Sequence, residues 1–309
     1  MKKVLITGGC GTVGQAFIKE FYNQYEFISL SRNQEKQHIL KTNYPDVKLE
    51  IASIENSTEL TNIFLKTKPD IVIHAAALKQ IDVAQKKPSE AIKINVTGSL
   101  NVIAASKAAN VSITTGISSD KACLSNSVYG HTKSLMEQLF IEANTDQNKF
   151  ACCRLCNVAG SVGSVIPFWL QLAKANLPLK ITDPNMNRFM FSQSDAANLI
   201  QKAIDQISKN NGAFILIKKL KAVNMSDLAN VLSSDVETIG KRAGERLDEA
   251  LISADELPFS TIDGDYVFIG SEKNASNSNQ LTASLCTIDA TRMNSSEIKN
   301  LINTVEENV

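Results

Sequence analysis

A glycine-rich loop near the N-terminus constrains the fold more than any other feature of the sequence. An apolar run at residues 4–7 leads into Gly8, Gly11 and Gly14, and a pattern of helical periodicity follows. Glycines at this spacing permit a tight turn, close approach of a pyrophosphate and packing of the helix on the strand. The alternative is a glycine-rich turn without a ligand. The predicted dinucleotide-binding residues are Gly8, Gly11, Thr12, Val13 and Gly14.

Short β-branched runs alternate with amphipathic stretches through the first half of the chain. Predicted helices begin near Asn56 and at Pro88, and the second runs to about Asn110. This alternation predicts an α/β fold with a Rossmann-type, doubly wound parallel sheet that has helices on both faces. The predicted strands are residues 4–7, 27–30, 47–51, 71–74, 111–114 and 150–156.

The residues after the second predicted strand bear on which dinucleotide is bound. An acidic residue at this place would hold the ribose 2′-hydroxyl of NAD, but the chain has Ser31 and Arg32. A guanidinium can pair with a 2′-phosphate. The sequence therefore predicts NADP in preference to NAD, and the alternative is a solvated surface arginine at position 32.

The alternation of strands and helices ends after residue 156, where mixed short segments contain several prolines. We expect residues 1–160, together with later strands and helices at about 190–220, to form an NADP-binding Rossmann domain. We expect residues 161–189 and 221–309 to form a smaller C-terminal substrate-binding lobe.

Tyr129 and Lys133 lie four residues apart in a segment of helical periodicity. This spacing places both side chains on one helix face, about 6 Å apart. At that distance the ammonium group would favour the tyrosinate. Ser119 lies upstream, at the end of a predicted strand.

The glycine loop with Ser119, Tyr129 and Lys133 resembles the short-chain dehydrogenase/reductase superfamily, in its extended branch that acts on sugar nucleotides. The resemblance implies hydride transfer at an alcohol carbon, with Tyr129 as base and Lys133 on the cofactor ribose. Asp120 and Lys121 directly follow Ser119. In the extended branch, 4,6-dehydratases of nucleotide sugars have such an acid/base pair. A surface ion pair is the alternative.

Further segments narrow the resemblance to the UDP-N-acetylglucosamine 4,6-dehydratases of bacterial polysaccharide and flagellin-glycan biosynthesis, a family that includes enzymes inverting C5. Two positions depart from the family pattern, because Ser125 replaces a proline and Val162 replaces an arginine. The second change removes a potential phosphate or substrate contact. The segments that carry the resemblance are residues 74–80, 119–122, 154–161, 163–167, 181–189 and 242–253.

The resemblance implies further ligand-binding residues. Arg188 or Arg242 is expected on the diphosphate and Glu245 on the nucleoside ribose, although the arginines could instead be solvated. His74 and His131 are expected to be structural. On the cofactor the resemblance adds Ala75, Ala76 and Ala77. On the sugar nucleotide it implies Lys79, Asn157, Val165, Ile166, Pro167, Thr182, Arg188, Arg242 and Glu245.

The implied reaction is redox-neutral and gives a UDP-4-keto-6-deoxy sugar, with or without inversion at C5. Tyr129 takes the C4 hydroxyl proton, Lys121 takes the C5 proton, and Asp120 protonates the leaving C6 oxygen. Lys121 must be neutral to act as a base, which requires burial or a nearby positive charge to lower its pKa. The alternatives are a 4-keto reductase or an epimerase, neither of which eliminates water, and a non-catalytic NADP-binding protein.

Composition excludes broad classes of partner. The 32 basic and 32 acidic residues leave a formal net charge of +0, so we expect no nucleic-acid partner. We also expect no membrane insertion and no signal peptide, because no continuous apolar stretch is long enough. The six cysteines lack disulfide spacing, which predicts reduced thiols and a cytoplasmic protein, with Cys153 and Cys156 in a buried strand and no metal site. The family resemblance implies a homo-oligomer.

Overall fold

The computed structural model describes residues 1–209, 212–241, 245–270 and 279–306. Its strands are β1 (Lys2–Thr7), β2 (Tyr25–Leu30), β3 (Lys48–Glu50), β4 (Ile71–His74), β5 (Ile113–Ser119), β6 (Lys149–Leu155), β7 (Asn157–Val158), β8 (Leu179–Ile181), β9 (Asn187–Phe191), β10 (Phe214–Lys218), β11 (Ala222–Asn224), β12 (Val236–Thr238), β13 (Ala250–Ile252), β14 (Ser260–Asp263), β15 (Tyr266–Gly270) and β16 (Leu285–Cys286). Its α-helices are α1 (Thr12–Phe21), α2 (Gln34–Asn43), α3 (Ser57–Thr67), α4 (Ile81–Lys86), α5 (Pro88–Ile92), α6 (Gly98–Ala108), α7 (Val128–Ala143), α8 (Val165–Lys174), α9 (Gln193–Lys209), α10 (Met225–Leu232) and α11 (Ser295–Glu306). Helical turns of other types lie at Lys93–Thr97, Asp120–Ala122 and Ala254–Phe259.

Nine strands form the central sheet, in the order β14-β15-β10-β6-β5-β4-β1-β2-β3. The strands from β10 to β3 pair in parallel, whereas β15 and β14 join the edge in antiparallel pairing. The strand order reverses direction between β1 and β4, and ligands of such sheets bind at the carboxyl ends of the strands beside this point. The predicted Rossmann-type, doubly wound α/β fold is confirmed.

Alternation of side chains along the strands builds a core on each face of the sheet. In β1, Val4 and Ile6 pack in one cluster of buried side chains and Leu5 packs in another. The predicted helix starts are also confirmed. The Asn56 side chain caps α3 by accepting from the Glu59 amide, and Pro88 opens the helical stretch that ends at Ala108.

A further cluster of buried side chains lies outside the central sheet. It joins α8, α10 and α11, with Trp169, Leu228 and Ile302 among its members. These helices fall in the ranges predicted for the smaller lobe, whereas β14 and β15, which also fall there, extend the central sheet. The division of the chain at these boundaries stays a prediction.

The cysteines and the helices bear on two of the predictions from composition. All six cysteines are free thiols, and Cys153 is buried in β6 as predicted. Cys156 is also buried, but it lies directly after β6, which ends at Leu155. In the part of the chain that the structure describes, no helix has the length and apolar character that crossing a membrane requires.

Arg154 ties together the elements that surround the predicted site. Its guanidinium is 1% exposed and contacts both carboxylate oxygens of Glu137 in α7, at 2.7 and 2.9 Å, and both of Glu256, at 2.7 and 3.1 Å. It also donates to the Leu251 carbonyl at 2.7 Å. Arg154 therefore fixes β13 against β6 and α7.

The substitution Arg154→Met is expected to lower the free energy of unfolding by about 3–5 kcal/mol, because it leaves two carboxylates beside a buried apolar side chain. Urea unfolding of the ligand-free protein measures this change. Lys66→Met is the matched control, since the Lys66–Glu50 pair of 2.9 Å lies at the surface, where such pairs contribute ~0–1 kcal/mol. Equal losses in the two variants would contradict a role for the Arg154 network.

Candidate active site

The glycine loop forms the turn between β1 and α1. Gly8 has a φ of +74°, which side-chain-bearing residues rarely adopt, and a Cβ there would lie 2.9 Å from the Ala76 amide nitrogen. A Cβ on Gly14 would lie 2.6 Å from the Cα of Gly9. Among the described residues, no side chain caps the first turn of α1, which starts after Gly11, so its N–H groups face the loop without a side-chain acceptor.

A pocket opens beside this loop at the ends of β1, β2 and β4. Arg32 at its edge is 65% exposed and pairs with Glu55 at 3.1 Å, and Lys93 pairs with the same carboxylate at 3.1 Å. Burial disfavours the ionised Glu55, but Lys93, Ser53 and Arg32 outweigh that effect and lower its pKa. Glu55 was given no role from the sequence. The pocket is lined by Gly8, Leu30, Ser31, Arg32, Ala52, Ser53, Ile54, Glu55, Ala76, Ala77 and Ile94.

The other predicted cofactor residues lie around the same loop. The Ala75 amide donates to the Thr7 carbonyl at 3.0 Å, which continues the pairing of β4 with β1. The Thr12 hydroxyl accepts from the Val162 amide at 3.4 Å, so the segment after β7 lies over the start of α1. Val13 packs against the core. The fold therefore brings the predicted cofactor residues from three separate loops together.

The predicted catalytic residues meet where β5 ends. The Ser119 hydroxyl donates to Asp120 Oδ1 at 2.8 Å and accepts from the Lys121 amide at 3.3 Å. The Tyr129 hydroxyl, from the first turn of α7, shares a hydrogen bond with Ser119. Lys121 Nζ lies 2.8 Å from Asp120 Oδ2, and the Asp120 side chain is only 2% exposed. Asp120 and Lys121 are therefore not a surface ion pair.

Glu249 completes this cluster, although the sequence analysis gave it no role. Its Oε1 lies 2.7 Å from Lys121 Nζ and 3.3 Å from Arg188 Nε. A side-chain hydrogen bond also joins Glu249 to Asp120. Asn157 Oδ1 accepts from Lys121 Nζ at 3.4 Å, and its Nδ2 lies 3.4 Å from Glu249 Oε2. One ammonium group is thus held between two buried carboxylates.

This arrangement sets the protonation of the Asp120–Lys121 pair. Burial and the adjacent Glu249 charge raise the pKa of Asp120 to about 7, although Lys121 opposes the shift. Burial acts to lower the pKa of Lys121, but Asp120 and Glu249 outweigh it and raise that pKa. The lowered pKa that Lys121 requires to act as a base is therefore not found in this structure, because two carboxylates stabilise its ammonium form.

Burial shifts the pKa values of both Tyr129 and Lys133. Burial raises the pKa of Tyr129 to about 12, with Ser119 as the main opposing influence. Burial lowers the pKa of Lys133 to about 8. The Lys133 ammonium donates to the Ile117 carbonyl at 2.7 Å. An effect of Lys133 on the tyrosinate stays a prediction.

Comparison with known proteins identifies the family of this chain. The model of the polysaccharide biosynthesis protein family matches residues 4–270. The chain belongs to this family.

UDP-N-acetylglucosamine 4,6-dehydratase (inverting) from Campylobacter jejuni is 35% identical over 267 residues, which are 82% of this chain and 78% of the relative. UDP-glucose 4-epimerase from Rickettsia bellii is 32% identical over 283 residues, 86% of this chain and 82% of the relative. The X-ray structure of Pen from Bacillus thuringiensis has a TM-score of 0.89 at 27% identity and covers 99% of this chain and 98% of Pen.

In this member of the polysaccharide biosynthesis protein family, Arg188 contacts protein groups with all of its guanidinium nitrogens. Besides Glu249 at Nε, the acceptors are the Asn187 and Leu247 carbonyls at Nη1 and the Arg246 carbonyl and Met186 sulfur at Nη2. A guanidinium has only five N–H donors. In this structure those donors hold the Glu249 segment against β9, and a contact of Arg188 or Arg242 with a diphosphate stays a prediction.

Three other predicted substrate residues, Asn157, Lys79 and Thr182, contact groups of the protein itself. Asn157 belongs to the cluster around Lys121 and donates to the Phe189 carbonyl at 3.0 Å. Lys79 Nζ donates to the Val162 carbonyl at 3.1 Å, and burial lowers its pKa. The Thr182 hydroxyl lies 3.5 Å from the Met186 sulfur, which also contacts Arg188.

The first turn of α8 carries three of the predicted substrate residues. Ile166 is buried in the core of α8, α10 and α11, Val165 packs against that core, and Pro167 is half-buried. Glu245 is half-buried in the segment before Glu249. Arg242 lies outside the described residues. Substrate contacts of these residues stay predictions.

The two histidines singled out in the sequence have hydrogen-bond partners inside the protein. His74 is buried, and its ring nitrogens contact the Thr7 hydroxyl at 2.8 Å and the Ser99 hydroxyl at 3.0 Å. Burial lowers the pKa of His74 to about 3, so the ring is neutral. His131 contacts the Ser125 hydroxyl at 2.8 Å. The prediction that His74 is a packed, hydrogen-bonded core residue is confirmed.

Proposed function

We propose that this chain is a 4,6-dehydratase of UDP-N-acetylglucosamine or a closely related UDP-hexosamine. The buried Asp120–Lys121 pair beside Tyr129 is the observation that carries the proposal. Oxidation of an alcohol needs one base, whereas loss of water from the neighbouring carbons also needs an acid and a second base. The Campylobacter jejuni relative bears the name of this activity.

The glycine loop and its pocket fit a nicotinamide dinucleotide. Gly8 and Gly14 leave no room for side chains where the loop turns, and the uncapped first turn of α1 suits a pyrophosphate. Solved relatives on this fold include enzymes described in complex with NAD. The chemistry that a bound nicotinamide supplies is reversible acceptance of hydride, which makes the overall reaction redox-neutral.

Within this proposal the cofactor is NADP, held at its 2′-phosphate by Arg32. Replacing Arg32 with alanine is expected to weaken NADP binding about tenfold or more and to leave NAD binding within about threefold, because only NADP carries the extra phosphate. Dissociation constants for both dinucleotides from calorimetry measure this. Lys36→Ala, on the next helix, is the control for general loss of positive charge. Unchanged NADP affinity in Arg32→Ala would overturn the assignment.

The side chains account for the proton transfers of the proposed reaction. Tyr129 takes the C4 hydroxyl proton as the C4–H bond breaks, and the resulting ketone makes C5 acidic. Lys121 takes the C5 proton, and Asp120 gives its proton to the C6 oxygen, so the C6–O bond breaks and water leaves. Protonation of Asp120 removes one of the two charges that hold the Lys121 proton and Glu249 keeps the other, so Lys121 must release a proton to solvent before it accepts the C5 proton. The nicotinamide, when bound, would return the hydride to C6, and protonation at C5 would set the configuration of the product.

The direct test incubates the purified protein with UDP-N-acetylglucosamine and follows the sugar by mass spectrometry. The expected product lacks one water relative to the substrate and forms without added reducing agent. An isomer of unchanged mass would instead support 4-epimerisation, the activity named for the Rickettsia bellii relative. A 4-keto reductase would leave UDP-N-acetylglucosamine unchanged, because this sugar has no ketone to reduce, and would consume NADPH only with a 4-keto sugar nucleotide.

We also propose that the protein is a cytoplasmic homo-oligomer whose product enters polysaccharide or flagellin-glycan synthesis. Free thiols at all six cysteines fit a reducing compartment. The family description as a polysaccharide biosynthesis protein supports the glycan assignment.

A further inference from the structure

Glu249 is a buried carboxylate from the C-terminal part of the chain that contacts the acid/base pair at the end of β5. Its side chain is 11% exposed and lies 2.7 Å from Lys121 Nζ. The same Lys121 ammonium lies 2.8 Å from Asp120. Asp120 and Lys121 carry out the proton transfers of the proposed elimination, and Glu249 is not needed for those transfers themselves.

The backbone around Glu249 is fixed on both sides. The Glu249 amide donates to the Thr287 hydroxyl at 2.9 Å, and the Thr287 amide donates to the Glu249 carbonyl at 2.9 Å. Two residues later, the Leu251 carbonyl accepts from the buried Arg154. The carboxylate is therefore held against Asp120 by β13, and its position does not depend on a surface loop.

A hydrogen bond between two carboxyl groups requires that one of them carry a proton. Two cations, Lys121 and Arg188, contact Glu249, whereas Lys121 is the only cation paired with Asp120 among the described residues. The ionised form is more stable where more positive charge is near, so the proton resides on Asp120 and Glu249 is the anion. Consistent with this, the pKa of Asp120 is raised to about 7 and that of Glu249 is lowered to about 2.

We propose that Glu249 is a positioning residue that keeps Asp120 protonated and aligned, so that Asp120 can donate its proton to the departing C6 oxygen. The inference rests on the proposed dehydratase function and extends it, because it assigns the control of the acid to a residue far along the chain. Glu249 acts through Asp120 in the elimination step and has no part in oxidation at C4.

The direction in which the pH dependence of the elimination step shifts follows from the groups that face Asp120. These are Lys121 from the same turn, Tyr129 from α7, Cys156 after β6 and Glu249 before β13, with Arg188 from β9 behind Glu249. An acid works below its pKa and is lost as the pH rises through that pKa. Removing the Glu249 charge lowers the Asp120 pKa, so the alkaline limit of the elimination step moves to lower pH.

The test compares Glu249→Gln, Glu249→Asp and the wild-type holoenzyme in single turnovers with UDP-N-acetylglucosamine. We expect Glu249→Gln to oxidise C4 at the wild-type rate and to slow elimination about tenfold or more at pH 8. The alkaline limit of its elimination rate is expected to fall by about one pH unit or more. Glu249→Asp, which restores the charge, is expected to recover part of both effects.

Asp248→Asn is the matched control, because Asp248 is the neighbouring carboxylate and contacts Asn187 and Thr287 through one oxygen that asparagine keeps. Thermal unfolding of each variant separates loss of the fold from loss of the acid. An unshifted pH limit in folded Glu249→Gln would overturn the inference. If that variant does not fold, a wild-type elimination rate that does not fall as the pH rises through about 7 would overturn it, because Asp120 would then not be an acid held protonated at that pH. Absence of dehydrated product from the wild type would instead refute the proposed function itself.

Discussion

Replacing Asp120 with asparagine is expected to stop the reaction after oxidation at C4. Asparagine keeps the size of the side chain and can still accept from Ser119, but it has no acidic proton to give to the C6 oxygen. Loss of a general acid lowers the rate by about 10²–10⁴-fold. Because Tyr129 and Ser119 are intact, C4 is still oxidised, and reduced nicotinamide accumulates in place of product.

The measurement is a single turnover followed by the near-ultraviolet absorbance of reduced nicotinamide and by product mass. The wild type should show a brief rise and decay of this absorbance, and Asp120→Asn a rise that persists. Asp70→Asn is the control, because Asp70 is an exposed aspartate that contacts the Lys3 amide far from the site. Wild-type product formation by Asp120→Asn would remove Asp120 from the elimination step.

Replacing Tyr129 with phenylalanine is expected to block the reaction one step earlier. The tyrosine ring is kept and its place in the first turn of α7 is unchanged, but the hydroxyl that contacts Ser119 is lost. With no base at the C4 hydroxyl, we expect oxidation to fall by about 10²–10⁴-fold and substrate binding to change little. Neither reduced nicotinamide nor dehydrated product should then appear.

The contrast between the two variants separates the half-reactions. Tyr22→Phe is a suitable control for Tyr129→Phe, since the Tyr22 hydroxyl contacts Asp46 at the surface. Persistent reduced nicotinamide in Tyr129→Phe would show that another group removes the C4 hydroxyl proton. The assignment of Tyr129 would then be wrong, even if the chain were a dehydratase.

Much of the fold could be predicted because its determinants are local in the sequence. The glycine loop occupies a fixed place between a strand and a helix, and the parallel strands are short apolar runs buried on both faces. The antiparallel strands β14 and β15 were not predicted to extend the central sheet. Their membership depends on pairing with β10, and such pairing between distant segments leaves no periodic signal of its own.

The candidate site also has some residues that are close in the sequence and one, Glu249, that is brought to it by long-range contacts. Ser119, Asp120 and Lys121 are neighbours in the chain, and Tyr129 precedes Lys133 by one helical turn, so their proximity follows from spacing. Glu249 reaches them only through the pairing of β13 and the contacts of Arg154 and Thr287. The protonation of Lys121 depends on that long-range contact, so its raised pKa could not be predicted from the sequence.

The most direct test of the proposed function follows one hydrogen atom through the reaction. UDP-N-acetylglucosamine carrying deuterium at C4 is incubated with the holoenzyme in ordinary water, and the product is examined by NMR. A 4,6-dehydratase moves that deuterium to C6, giving a 4-keto-6-deoxy sugar with a singly deuterated methyl group. Deuterium that returns to C4 in an epimerised sugar, or that stays at C4 of unchanged substrate, would contradict the proposed function.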